Sequence, residues 1–137
     1  MVKLAKVWKR ARRLKIGSYL TELLVARAFR DGIPQGRDLA LNAFFAWMAR
    51  GGLKQPIIFT DNYRVTDVEN APNDPLVVLD PTNPRNNVAA ALSLDAVAEL
   101  ERAADRARAR SGTALDATSR REAAACWRDL LVDFPVP

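Results

Sequence analysis

Lys3-Leu4-Ala5-Lys6-Val7-Trp8-Lys9, followed after Leu14 by Lys15-Ile16-Gly17-Ser18-Tyr19-Leu20-Thr21-Glu22-Leu23-Leu24, is the stretch on which the fold turns. Leu4, Val7, Trp8, Ala11 and Leu14 recur at helical spacing and form an apolar stripe one face wide. Around it stand Lys3, Lys6, Lys9, Arg10, Arg12, Arg13 and Lys15, with no acid among the first fifteen residues. A Gly-Ser break comes next, and Leu20, Leu23, Leu24, Ala28 and Phe29 mark a second apolar helix face. A cationic helix, a small-residue corner and a buried helix describe a surface suited to an anionic partner.

Those seven cations account for the chain's net charge of +5, because the remaining fourteen Lys and Arg residues are outnumbered by sixteen acids. Phosphates, rather than acidic proteins in general, are therefore the natural partners of the first helix. A length of 137 residues predicts one domain, spanning 1–137, with a real core. One cysteine, Cys126, forms no internal disulfide and fits a reducing cytoplasm. Without histidine, neither a zinc site nor a Ser-His-Asp triad can be built within the chain. No apolar run is long enough for a membrane span, and the cationic start does not lead into a signal-type segment.

In chain order, the first helix is expected to reach about Leu14, and Ser18 to cap the second, which ends near Asp31-Gly32. Leu39 to Ala49 is apolar nearly all round, as for the central helix of a bundle, and Gly51-Gly52 ends it. Pro56 to Thr60 and Pro75 to Leu79 read as two short strands joined by the polar segment Asp61 to Asp74, with Asn70 among its loop formers. Asp80 to Val88 is too rich in Pro and Asn for helix or strand, and its Asx side chains can fix a compact loop. Ser93 with Asp95 caps an Ala-rich helix through Arg110, and Ser111-Gly112 breaks it. Ser119 and Glu122 form a capping box for a last helix with Ala123, Cys126, Trp127, Leu130, Leu131 and Phe134 on one face. Trp8, Trp47 and Trp127 all lie on apolar stripes and read as core. The fold class is mainly α: a bundle of about five helices with a small two-stranded β-ribbon.

Four segments resemble one family, the C-terminal helical domain of the 2′-5′-oligoadenylate synthetase and cyclic GMP-AMP synthase-like nucleotidyltransferases, above all the bacterial makers of cyclic oligonucleotides. Leu4 to Trp8 is similar to its Leu-x-Lys-x-Trp helix, and Leu14 to Leu24 to its Leu-Lys-x-x-Ser-Tyr-x-x-Glu-Leu-Leu segment. Val77-Val78-Leu79-Asp80-Pro81-Thr82-Asn83-Pro84-Arg85-Asn86-Asn87-Val88 resembles its Ile-Leu-Asp-Pro-x-Asp-Pro-x-Asn-Asn-Val loop, the most specific match. Ala125 to Pro135 resembles its final Trp-Arg-x-Leu-Phe-Gly-x-x-Phe helix, with Leu131-Val132 in place of Phe-Gly and Asn83 in place of the loop's third acid.

The resemblance implies that a nucleoside triphosphate is held by Lys6, Ser18 and Tyr19, and that Asp80, Asn86 and Asn87 structure the loop. It also implies what is missing. Family catalysis uses a Gly-Ser loop, a paired Asp-x-Asp and a third carboxylate that together hold magnesium, all upstream of the region resembled. Asp61, Asp67 and Asp80 are too scattered to substitute, and Gly17-Ser18 leads into a helix. Magnesium is thus expected only with a catalytic lobe, supplied by a partner chain or lost with a removed segment, and self-association is a further expectation. Each assignment has a plainer rival. Lys6 either sits on a triphosphate or is a solvated helix cation; Ser18 either bonds phosphate or is an N-cap; Tyr19 either stacks on a base or rims the helix. Glu22 reads as an anchor for the loop or a helix end. At the level of the chain, the alternative is a non-catalytic module or scaffold that binds nucleic acid or nucleotide through its basic first helix.

Overall fold

The computed structural model describes residues 1–68 and 72–132. Helix α1 (Val2–Ala11) presents Ala5, Trp8 and Ala11 inward and ends earlier than its apolar pattern suggests. The stop is a Schellman turn: Arg13 takes a left-handed φ of 54°, its N–H meets the Arg10 carbonyl, and the Leu14 N–H reaches back to Lys9 O at 2.9 Å. Leu14, past the turn, folds under into the core. Helix α2 (Ser18–Ala28) starts at Ser18 rather than being capped by it: Gly17 is the N-cap, and no side chain caps the end. Serine is thereby left as the first helical residue, with its hydroxyl uncommitted to the cap. The turn after α2 closes with Gly32 at φ 124°.

Helix α3 (Arg37–Trp47) buries Ala40, Leu41, Phe44 and Phe45, and runs into a wide turn over Met48–Gly52. It is less enclosed than its composition implies, for Leu39 is half exposed at 50%. Helix α4 (Leu94–Asp116), started by Ser93 Oγ accepting from Ala96 N, is the long central strut. Ser111-Gly112 does not break it. Ser111 Oγ donates to Ala107 O at 2.7 Å and receives Asn42 Nδ2 from α3 at the same distance, so its hydroxyl is satisfied inside the helix. Small residues Ala103, Ala104, Ala107 and Ala114 let α3 and α5 approach closely. Helix α5 (Arg120–Leu131) begins where Ser119 Oγ accepts from Glu122 N, and docks on α4 and α1. Phe134 and the residues after Val132 lie outside the described residues, as does Asn70.

The ribbon exists, but elsewhere than the apolar runs suggest. Strands β1 (Leu79–Asp80) and β2 (Asn83–Asn87) pair antiparallel, so the Pro- and Asn-rich segment is itself a strand. Residue 57 makes only a single parallel bridge to Val78, with Ile57 N on Val77 O and Leu79 N on Ile57 O. On the opposite side of Val78, the side that faces β2, Asn87 Oδ1 takes the Val78 N–H at 2.9 Å and the Val88 N–H meets the Val78 carbonyl at 2.8 Å. Proline at position 84 is tolerated because β2 is an edge.

One core joins all five helices and this ribbon. Trp8, Phe44, Phe45, Leu24, Leu41, Leu79 and Leu100 are fully buried. The Trp8 and Phe45 rings meet at 4.9 Å between centroids with a 53° tilt, a favoured aromatic geometry. Trp47 and Trp127 are only partly buried and pack on the rim of this cluster. Among the described residues no helix is long and apolar enough to cross a membrane.

Candidate nucleotide-binding site

Helix α1 turns Lys6 and Lys9 toward α2. Lys6 Nζ donates to Glu22 Oε1 at 2.5 Å, and Lys9 Nζ to the Ile16 carbonyl at 2.6 Å. Glu22 stands one helical turn after Ser18, so the ion pair fixes the Lys6 ammonium alongside the first turn of α2. The side chains are 31% and 45% exposed. Such a pair is worth only about 0–1 kcal/mol to stability, and its importance is positional. An ammonium carries three donors, and one satisfied by Glu22 leaves two for an anion.

The α2 N-terminus beside it is open. Gly17 is extended (φ −66°, ψ 157°) and has no side chain to occupy the free amides of the first turn. Ser18 and Tyr19 are both exposed, Tyr19 at 47%. The Tyr19 phenol is held above its ordinary pKa, first by desolvation and then by the negative charges of Asp80 and Glu22. It therefore stays protonated at neutral pH, a hydrogen-bond donor with an uncharged ring.

The loop is built from Asx bonds. Asp80 Oδ1 accepts from the Thr82 N–H and hydroxyl, each at 2.8 Å, and Oδ2 accepts from Asn86 Nδ2 at 3.4 Å. The Thr82 amide, then its hydroxyl, pull the Asp80 carboxyl below its ordinary pKa against partial desolvation. Tyr63 OH donates to the Asp80 carbonyl. Asn87, 7% exposed, uses its whole amide: Oδ1 accepts from Val78 and Ala89 N–H, while Nδ2 donates to Leu76 O and Asp74 Oδ2.

Lys6, Ser18 and Tyr19 are thus brought together, with Glu22 as the organiser. The other cations of the first fifteen residues go their own ways. Arg12 donates to the Asp129 and Val132 carbonyls at the end of α5, whereas Lys3, Arg10 and Lys15 are exposed. Among the described residues no group of three or more His, Cys, Asp or Glu could hold a metal ion. The residues present do not fit a magnesium site. The specific bonds of Thr82 to Asp80 and of Asp74 to Asn87 span two and thirteen residues, and no periodicity marks them.

The family described as "tRNA nucleotidyltransferase, second domain" matches residues 11–114. The chain belongs to this family. Among curated proteins, it is 33% identical over 95 residues to a cyclic AMP-AMP-AMP synthase of Escherichia coli strain MS 115-1, covering 65% of this chain and 29% of that protein. It is 29% identical over 107 residues to the CBASS oligonucleotide cyclase CdnC of E. coli strain KTE188, covering 77% and 33%. Two solved structures overlay on 95% of the chain at 28% identity: E. coli MS115-1 CdnC with ATP, at a TM-score of 0.87, and the CdnC:HORMA-deltaN complex, at 0.86. The chain covers 42% and 43% of those two chains, and a third or less of the curated relatives. The resemblance to the helical domain of oligoadenylate-synthetase-like nucleotidyltransferases holds, in sequence and in fold.

Proposed function

We propose that residues 1–137 form one domain, the C-terminal nucleotide-binding lobe of a nucleotidyltransferase that makes oligonucleotide or cyclic-nucleotide signals of the antiphage type. The lobe is inactive alone and completes a catalytic lobe carried on another chain or on a removed segment. The observation that carries this reading is the Lys6–Glu22 pair set beside the uncapped start of α2, where Ser18 and Tyr19 stand exposed. The CBASS cyclase relatives, one of them solved with ATP, support it.

In this lobe each side chain has a separable task. Lys6 sets an ammonium on the triphosphate, oriented by Glu22. Ser18 offers its hydroxyl and the neighbouring first-turn amides to a phosphate oxygen, with the helix dipole favouring the negative charge. Tyr19 supplies a neutral ring on which a nucleobase stacks. Asp80, Asn86 and Asn87 structure the neighbouring loop through their hydrogen bonds. A nucleic-acid module using all of α1 is less well supported, because Lys6, Lys9 and Arg12 are already bonded within the fold. The HORMA complex of the relative supports a protein partner for the assembled enzyme.

The test is a triphosphate-binding assay on the assembled two-lobe enzyme. Lys6→Ala and Tyr19→Ala are expected to weaken ATP binding, each by about tenfold if one charge-assisted bond or one stacked ring is lost. Arg10→Ala, on the exposed face of α1, is expected to leave it within twofold. Loss on Arg10→Ala with none on Tyr19→Ala would instead favour nucleic acid as the ligand.

A further inference from the structure

A cavity lies on the other side of α1, between α1, α4 and α5. It measures about 280 Å³ and is lined by Trp8, Arg12, Arg106, Arg110 and Asp129, with Ala103 at its wall. Trp8 and Arg12 are four residues apart and share a helix face, whereas Lys6 is turned from Trp8 by about 200° at 100° per residue. The cavity is therefore separate from the Lys6, Ser18 and Tyr19 cluster.

Two observations make it more than a gap. The Trp8 side chain is 1% exposed, yet its indole N–H has no acceptor, and the buried Nε–H of Arg12 has none either. Buried donors are almost always paired, so two orphans lining one cavity leave a demand for acceptors there. The charge is also unbalanced. Arg110 is ion-paired with Asp129, while Arg12 donates to backbone carbonyls and, like Arg106, makes no ion pair with a carboxylate among the described residues. The lining thus sets three guanidiniums against one carboxylate, a net positive charge beside the two orphaned donors.

We propose that this cavity is an anion site that takes a phosphoryl group. A tetrahedral dianion supplies several oxygens at once, matching donors that come from α1 and α4. Guanidinium forks suit such oxygens better than an ammonium would. The phosphoryl group comes either from free phosphate or from the terminal phosphate of a nucleotide.

The 137-residue chain has three tryptophans, so its indole N–H resonances report on the site directly. Titration with inorganic phosphate should move the Trp8 indole resonance saturably in the millimolar range and leave those of Trp47 and Trp127 in place. Arg106→Gln, at an exposed position, should weaken that binding about tenfold, while Arg10→Ala, an equal loss of charge on α1, should change it less than twofold. Subsequent ATP addition that displaces phosphate at Trp8 identifies a nucleotide as the physiological source, and failure to displace it identifies free phosphate. An unmoved Trp8 resonance, or equal weakening in Arg106→Gln and Arg10→Ala, overturns the proposal.

Discussion

Replacing Asn87 is the sharpest probe of how the loop is held. The buried Asn87 amide makes four hydrogen bonds, between 2.8 and 3.0 Å. Asn87→Ala strands the Val78 and Ala89 N–H groups and the Leu76 carbonyl, all in places water reaches poorly; Asp74 merely returns to solvent. At about 1–3 kcal/mol for each stranded group, partly relieved by relaxation, the loss should be about 3–5 kcal/mol. For a chain of this size that is a fall in Tm of roughly 10–20 °C. Asn87→Asp separates hydrogen bonding from shape. One carboxylate oxygen can still accept from Val78 and Ala89, but the other faces the Leu76 carbonyl and the Asp74 carboxylate. Burial and that neighbour raise the new carboxyl's folded pKa. A raised folded pKa means that stability is present below the ordinary carboxyl value of about 3.9 and is lost as pH rises through the folded value. Thermal melts of the two variants at matched pH cancel the acid sensitivity they share. Asn87→Asp should gain on Asn87→Ala as pH falls from 7 toward 4. The reasoning is refuted if Asn87→Ala costs under about 1 kcal/mol, or if the two variants track each other at every pH.

Asp80 has a depressed folded pKa, so its contribution is present above the ordinary value of 3.8 and lost as pH falls through the folded value; Asp80→Asn should therefore flatten the acid limb of a Tm-against-pH curve. The same variant removes a negative charge felt by both tyrosines, and spectrophotometric titration should show the Tyr19 and Tyr63 phenols ionising at lower pH than in the parent chain. Gly52→Ala would put a Cβ 2.6 Å from the Trp47 carbonyl oxygen and 2.4 Å from its ring, which cannot both yield, and denaturant melts should show a loss of about 1–3 kcal/mol. Gly112→Ala meets nothing within 4 Å inside helix α4, and the same melts should show a gain of about 0.5–1 kcal/mol.

Much of this architecture is legible from periodicity. The stripes through Trp8, Leu24, Phe44 and Leu130 mark faces that are buried in the fold, and Ser93 and Ser119 cap helices as their side-chain chemistry dictates. The errors have one common cause: a distant partner outweighs a local preference. Ser111-Gly112 has the composition of a break, but Asn42, sixty-nine residues earlier, accommodates the serine hydroxyl within the helix. The segment around Asn83 to Asn87 has loop composition, but a single buried amide pins it as an edge strand. Ser18 looks like a cap, yet Gly17 takes that position because the Schellman turn at Arg13 sets where the chain re-enters helix. Lys6, Ser18 and Tyr19 are pointed to as site residues only by resemblance to a family motif. That Glu22 would hold Lys6 could not be read from either helix alone, since the pairing depends on how α1 crosses α2. The arginine cavity was equally hidden, because Arg12 and Arg106 are separated by most of the chain.

The most direct measurement of the central claim is pyrophosphate release from ATP and magnesium, with the chain alone and joined to a catalytic lobe that carries the Gly-Ser loop and the Asp-x-Asp pair. The account predicts no release from either lobe alone, release when the two are joined, and a raised KM for ATP when the joined chain carries Tyr19→Ala. Release from the isolated chain, or a joined enzyme whose KM ignores both Lys6→Ala and Tyr19→Ala, would contradict it.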